Sequence, residues 1–263
     1  MDQVVAIAVG GVPVRLRTSD PVFRQQLLDR YRQFLAPSPA ADLEFEIELT
    51  PTGVADPGID VDVRCVNGRW FFRRGDFQAE WDSASGRGRV RHAPSPYAID
   101  SVLRILHSIL LANEGGFLVH SASAVRGGRA FLFSGLSGAG KTTISRLAPP
   151  DVTLLTDEIS YVRRERAGYR AFGTPFAGEL ARVGENIAAP VAALYLLSQG
   201  KENRLDPIPA ADAVRLLMRN ILFFAHEPLL VRRIFQAACD FVATVPVRRL
   251  TFFPDQRVWE MIR

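Results

Sequence analysis

Cysteine is scarce in this 263-residue chain: Cys65 and Cys239 are the only two, far apart and in no metal-ligand spacing. Their scarcity excludes a disulfide framework and a thiolate zinc site, and both read as core or strand residues in a reducing compartment. No window of about 18 apolar residues could span a bilayer. No charged start leads into an apolar run and a small-residue cleavage site. The expectation is a soluble, cytoplasmic protein without a membrane partner. The chain also lacks a basic block and any aromatic-interleaved basic stripe. Its formal charge of +4 and pI near 9.4 rest on scattered arginines, so nucleic acid is not an expected partner, whereas a small acidic substrate is compatible. Internal repeats and low-complexity tracts are absent as well. What remains is ordinary globular composition, 48% hydrophobic and 23% charged, enough for one large or two modest domains.

The first hundred residues read as a small α+β module. Val4 to Val9 and Val12 to Leu16 flank Gly10-Gly11 as a hairpin, with Pro13 confining the second run to a sheet edge or shortening it. Asp20 caps a helix expected from Pro21 to about Phe34. Leu43 to Leu49 alternates apolar and acidic residues, as a half-exposed strand does. Pro51 to Gly58 is a loop by composition. Further strands are expected over Val61 to Val66, Arg69 to Arg73 and Phe77 to Trp81, punctuated by Asn67-Gly68 and Gly75-Asp76. Pro94-Ser95-Pro96 marks the boundary between a module of residues 1–95 and a domain of residues 96–263, which opens on a helix from Tyr97 to Asn113.

Within the second domain, Phe117 to Val125 and Arg129 to Phe133 form strands around Arg126-Gly127-Gly128, a turn that pairs them antiparallel. The second strand feeds Gly135-Leu136-Ser137-Gly138-Ala139-Gly140-Lys141-Thr142, a full match to G-x-x-x-x-G-K-[ST], and then a helix stopped by Pro149-Pro150. In such a loop the glycines turn backbone N–H groups toward phosphate oxygens. Lys141 reaches the β and γ phosphates, and Thr142, followed by Thr143, can ligate Mg²⁺. A nucleoside triphosphate is therefore the expected ligand. Asp157 lies at the end of the next apolar strand, where a second metal-binding acid belongs, and Glu158 beside it is a second carboxylate able to accept a proton. His120 ends the run Phe117-Leu118-Val119 on the strand paired with the loop strand. Downstream, strands are expected at Ile159 to Val162, Tyr169 to Phe172, Ala192 to Leu197 and Val247 to Phe252. Helices are expected at Ala210 to Phe224, at Pro228 to Val242 and at the C-terminus.

His120, the loop core and the acid pair together resemble the HPr kinase/phosphorylase family over roughly His120 to Tyr161. The resemblance implies an α/β fold of the HPr kinase/PEP carboxykinase-like type, a P-loop domain with a mixed sheet behind the small α+β module. It also implies ATP and Mg²⁺ as cofactors and an acceptor hydroxyl surrounded by His120, Asp157 and Glu158, with Lys141 on the phosphates. Leu136 stands where that family carries Asp, Glu158 where it carries a second Asp, and its later E-I-R-G-x-G signature is absent. The chain is more similar to the divergent HPr-kinase-related proteins of lasso peptide clusters. That likeness implies a serine on a peptide or small protein as acceptor, and it allows a homo-oligomer. Two alternatives stay open: a kinase of free serine or a sugar, and a non-catalytic module gated by nucleotide.

Overall fold

The computed structural model describes residues 3–36, 41–50, 60–176 and 184–263. By its internal contacts the chain divides into two units, Met1–Ile109 with Phe224–Val231, and Leu110–Phe223 with Arg232–Arg263. The line between them runs beyond Pro94-Ser95-Pro96, where the sequence reading set residues 1–95 apart.

The first unit is built on one sheet. Its elements are β1 (Gln3–Val9), β2 (Val12–Thr18), α1 (Pro21–Arg30), β3 (Leu43–Leu49), β4 (Asp62–Val66), β5 (Arg69–Arg74), β6 (Phe77–Asp82), β7 (Arg87–His92) and the start of α2 (Pro96–Glu114). Among the described residues these strands form a seven-stranded sheet in the order β1-β2-β3-β7-β6-β5-β4. The Asp20 carboxylate accepts from the N–H groups of Val22 and Phe23, both at 2.8 Å, and so starts α1 as expected. Alternate residues Val5, Ile7, Val14, Leu16, Phe45 and Ile47 are buried on one side, with Phe23 and Leu27 of α1 also buried. A buried charge cluster ties α1 to α2. Tyr31 donates to Asp100 at 2.6 Å, Arg30 donates to the same carboxylate at 3.1 Å, and the Arg30 guanidinium lies over the Tyr97 ring.

Several expectations fail here for local reasons. β2 is an interior strand, paired antiparallel to β1 and parallel to β3; Pro13 is tolerated because the β3 ladder begins only at Val14. α1 stops at Arg30 and gives way to a 3₁₀ turn over Arg32–Phe34. The unforeseen β7 carries arginine at every second position with only Val90 and His92 buried, so it has almost no apolar signal. α2, expected as a helix from Tyr97 to Asn113, is buried around most of its circumference, His107 and Ser108 included. The Pro51 to Gly58 loop lies outside the described residues.

The second unit holds β8 (Phe117–Arg126), β9 (Arg129–Ser134), α3 (Lys141–Arg146), β10 (Val152–Thr156), β11 (Ile159–Glu165), β12 (Gly168–Phe172), β13 (Ala188–Gln199), β14 (Arg204–Pro207), α4 (Ala210–Met218), β15 (Ile221–Leu222), most of α5 (Pro228–Thr244) and β16 (Val247–Phe252). A 3₁₀ helix at Gln256–Met261 takes the place of the expected C-terminal helix. The mixed sheet has nine strands among the described residues. β8 and β9 form the expected antiparallel hairpin, closed by Gly127 and Gly128, whose φ values of 56° and 72° suit a type I′ turn. On its other side β9 is parallel to β13, and β13 is parallel to β16. The expected helix from Ala210 to Phe224 ends at Met218, because Ile221–Leu222 instead pair with Val119 and Leu118 of β8.

One face of this sheet packs Ala122, Phe131, Phe133, Tyr195 and Phe252 with Ile144 of α3 and Trp259 of the 3₁₀ helix. Trp259 donates its indole N–H to the Ile144 carbonyl at 3.1 Å and meets the Phe133 ring edge-on, which anchors α3 to the sheet. Among the described residues, no helix is long and apolar enough to cross a membrane. Cys65 and Cys239 are half-buried free thiols.

Candidate functional site

The glycine-rich loop leaves the sheet at the end of β9, three residues before the parallel strands β13 and β16 end. Ser134 of β9, Leu196 of β13 and Arg249 of β16 share one register level, so the loop rises toward the carboxyl ends of parallel strands, the usual ligand end of an α/β sheet. Gly138 and Gly140 have φ of 78° and 109°, which residues with a Cβ rarely adopt. A Cβ on Gly140 would lie 2.3 Å from the buried Phe252 ring, and one on Gly135 would lie 2.8 Å from Ala139 Cβ. The loop is pinned from below by Phe252 and from the side by Gln199, whose amide donates to the Gly138 carbonyl at 2.6 Å.

Lys141, one of only two lysines in the chain, opens α3 and is buried. Its ammonium donates to the carbonyls of Gly135 at 2.9 Å and Leu136 at 3.3 Å, which folds the side chain back under the loop. Gly140 caps the helix without a side-chain hydrogen bond. Thr142 and Thr143 are half-buried in the first turn, while Leu136, Ser137 and Gly138 form the exposed crest.

The other half of the site follows from how β8 changes partners. Along one edge, β9 pairs with Ser121 to Arg126 and β15 with Leu118 and Val119. Along the other, β10 pairs with Ser123 to Arg126 and β11 with Phe117 to His120. The two flanks therefore open at adjacent places, the first at His120 and the second at Ser121-Ala122. The glycine-rich loop departs past one opening, and Asp157-Glu158 occupy the other. Short contacts fix the arrangement. Ser134 Oγ donates to the His120 carbonyl at 2.9 Å, the His120 N–H donates to the Asn220 carbonyl at 2.7 Å, and the Ser121 N–H donates to the Glu158 carbonyl at 2.9 Å. The Thr156 hydroxyl accepts from the N–H groups of Glu158 and Ile159, both at 3.2 Å, which holds the acid turn. Asp157 is buried, and Glu158 and His120 are half-buried. A cavity of about 520 Å³ between α3 and β10 has Asp157, Thr156, Ser145 and Arg146 among its walls.

The fold thus brings His120, the start of the loop and Asp157-Glu158 together partway along β8, where its partners change. Arg248 and Arg249 lie on β16, separated from β9 by β13. The sequence reading missed Asn220, Gln199, Phe252 and Thr156, which position the site through backbone contacts and packing. Gln199 alone left a signal, a polar residue ending an apolar run before Gly200. Among the described residues no group of three or more His, Cys, Asp or Glu side chains could hold a metal. A divalent ion held by Thr142 and Asp157 would complete its shell with phosphate oxygens and water.

No curated protein matches the chain. Residues 97–263, well over half of its length, match the family model described as SynChlorMet cassette protein ScmC, and the chain belongs to that family.

Proposed function

We propose that the protein is an ATP-dependent kinase of the HPr-kinase-like type, transferring the γ-phosphoryl group to a hydroxyl, most simply a serine, on a peptide or small protein. The observation that carries this reading is the double opening of β8, which sets the glycine-rich loop and the acid pair Asp157-Glu158 on opposite edges of one strand beside His120. The family description names a cassette protein and no reaction, so the acceptor class rests on the resemblance of His120, Gly135 to Thr142 and Asp157-Glu158 to those kinases.

In this reading the loop amides and Lys141 bind the phosphates, the ammonium exchanging its carbonyl partners Gly135 and Leu136 for phosphate oxygens. Mg²⁺ held by Thr142 and Asp157 supplies charge neutralisation when bound. The acceptor oxygen forms a bond to the γ-phosphorus as the bond to the ADP oxygen breaks, and the hydroxyl proton passes to Glu158 or Asp157. His120 orients the acceptor. Since such transfer depends on positioning and charge stabilisation, Lys141 outweighs His120.

The test is transfer of label from γ-labelled ATP to serine peptides, free serine and sugars. Lys141→Ala should lower transfer about 10²- to 10³-fold, with a smaller loss for His120→Ala. Full transfer by Lys141→Ala would reject the assignment. Label on free serine or a sugar alone would make the protein a small-molecule kinase. Tight ATP binding with no labelled product would make it a nucleotide-gated module.

A further inference from the structure

The outward face of the seven-stranded sheet carries more positive charge than its own carboxylates neutralise. Strand register sets the outward side chains in rows. One row runs Asp62, Arg73, Gln78, Arg91 and Glu48, and the next runs Arg64, Phe71, Glu80, Arg89 and Glu46. Most carboxylates are already committed. Asp62 pairs with Arg64 at 2.9 Å, Glu46 with Arg89 at 3.1 Å, Glu48 with Arg91 at 2.7 Å, and Glu44 with both Arg15 and Arg17. Arg73 faces Asp62 across the ladder, Arg69 faces Asp82 and Arg87 faces Glu44; among the described residues none of the three comes within ion-pair distance of a carboxylate, while Arg69 is near enough to Asp82 to contribute to lowering its carboxyl pKa.

These arginines border two adjoining hollows of about 340 Å³ and 250 Å³, which share Glu80 and Arg89. Phe71 is 40% exposed between them and Val66 is 56% exposed at the β4 edge. Along β5, Arg69, Phe71 and Arg73 point to one side at every second residue, so the Cα atoms of the two arginines stand about 13 Å apart with an aromatic residue midway.

We propose that this face docks an extended peptide segment with the pattern acidic, any, apolar, any, acidic. Two isolated carboxylates at that spacing meet Arg69 and Arg73, and the central side chain covers Phe71. Glu80, Asp82 and the paired carboxylates around them disfavour a continuous polyanion, so nucleic acid is not the occupant. The docking does not depend on the phosphotransfer reading.

The experiment is fluorescence anisotropy on the full chain with the labelled peptide Gly-Glu-Ala-Leu-Ala-Glu-Gly. The comparison probes are its Lys-for-Glu and Ser-for-Leu counterparts and a uridine oligonucleotide. The acidic apolar peptide should bind in a salt-sensitive way and more tightly than either counterpart. The double variant Arg69→Glu with Arg73→Glu should weaken it by about tenfold or more, and Phe71→Ser should weaken it while leaving the thermal transition in place. Four outcomes overturn the proposal: equal binding of the lysine peptide, tighter binding of the oligonucleotide, indifference to the arginine variants, or burial of this face in a self-association that Arg73→Glu abolishes.

Discussion

Replacing Gly140 by alanine tests the loop geometry directly, because two separate costs fall on that Cβ. At φ of 109° the backbone is in a region that costs a residue with a Cβ about 1–2 kcal/mol. The added carbon would also stand 2.3 Å and 2.6 Å from two atoms of the Phe252 ring. That ring is only 3% exposed and belongs to the cluster containing Phe133 and Trp259, so it cannot swing into solvent. Forcing it aside costs about 1–3 kcal/mol, for a total of about 2–5 kcal/mol. Gly138→Ala is the internal control. Its φ of 78° is also positive, but nothing lies within 4 Å of the added carbon, so only the backbone cost applies. Urea unfolding of the two variants should therefore place Gly140→Ala about 1–3 kcal/mol below Gly138→Ala. Adding Phe252→Leu should be less than additive with Gly140→Ala, because the clash is then partly relieved. Equal stability of the two alanine variants, or strict additivity with Phe252→Leu, would refute the contact between loop and core.

Two further outcomes follow from buried charge. Burial pushes the His107 imidazole down to about 4 from an ordinary 6.5; the folded state therefore prefers the neutral ring, and the unfolded state takes up the proton first as pH falls. Stability is unaffected above pH 6.5. It is lost progressively as pH falls from about 6.5 to about 4, by about 2 kcal/mol at pH 5 and about 3 kcal/mol in full. His107→Leu should flatten that part of a pH series of unfolding midpoints, whereas an unchanged slope would exclude His107 as its source. Asp100→Ala should destabilise the protein by about 3–5 kcal/mol, because it strands the Tyr31 hydroxyl and the Arg30 guanidinium beside a buried site. Thermal unfolding checks this, and removing Arg30 as well should cost less than the sum of the single changes.

The sequence alone determined the local parts of this protein. Gly127-Gly128 and Asn67-Gly68 fixed hairpins because only a few residues accept positive φ. Asp20 fixed a helix start because its carboxylate satisfies orphan N–H groups. The loop from Gly135 to Thr142 fixed a strand, turn and helix because close backbone approach leaves room for nothing larger. Alternation made β3 legible, since one buried face imposes a period of two. What failed was non-local. β7 shows almost no apolar signal, because its arginines are matched by carboxylates on a strand about forty residues earlier. β15 looked like the end of a helix, because only the open edge of β8 makes it a strand. His120 and Asp157-Glu158 were each readable as candidates from the residues, but their meeting was implied only by the family resemblance. It depends on β8 changing its partners on both edges at neighbouring residues, which is a matter of strand order and register and is written in no stretch of contiguous sequence.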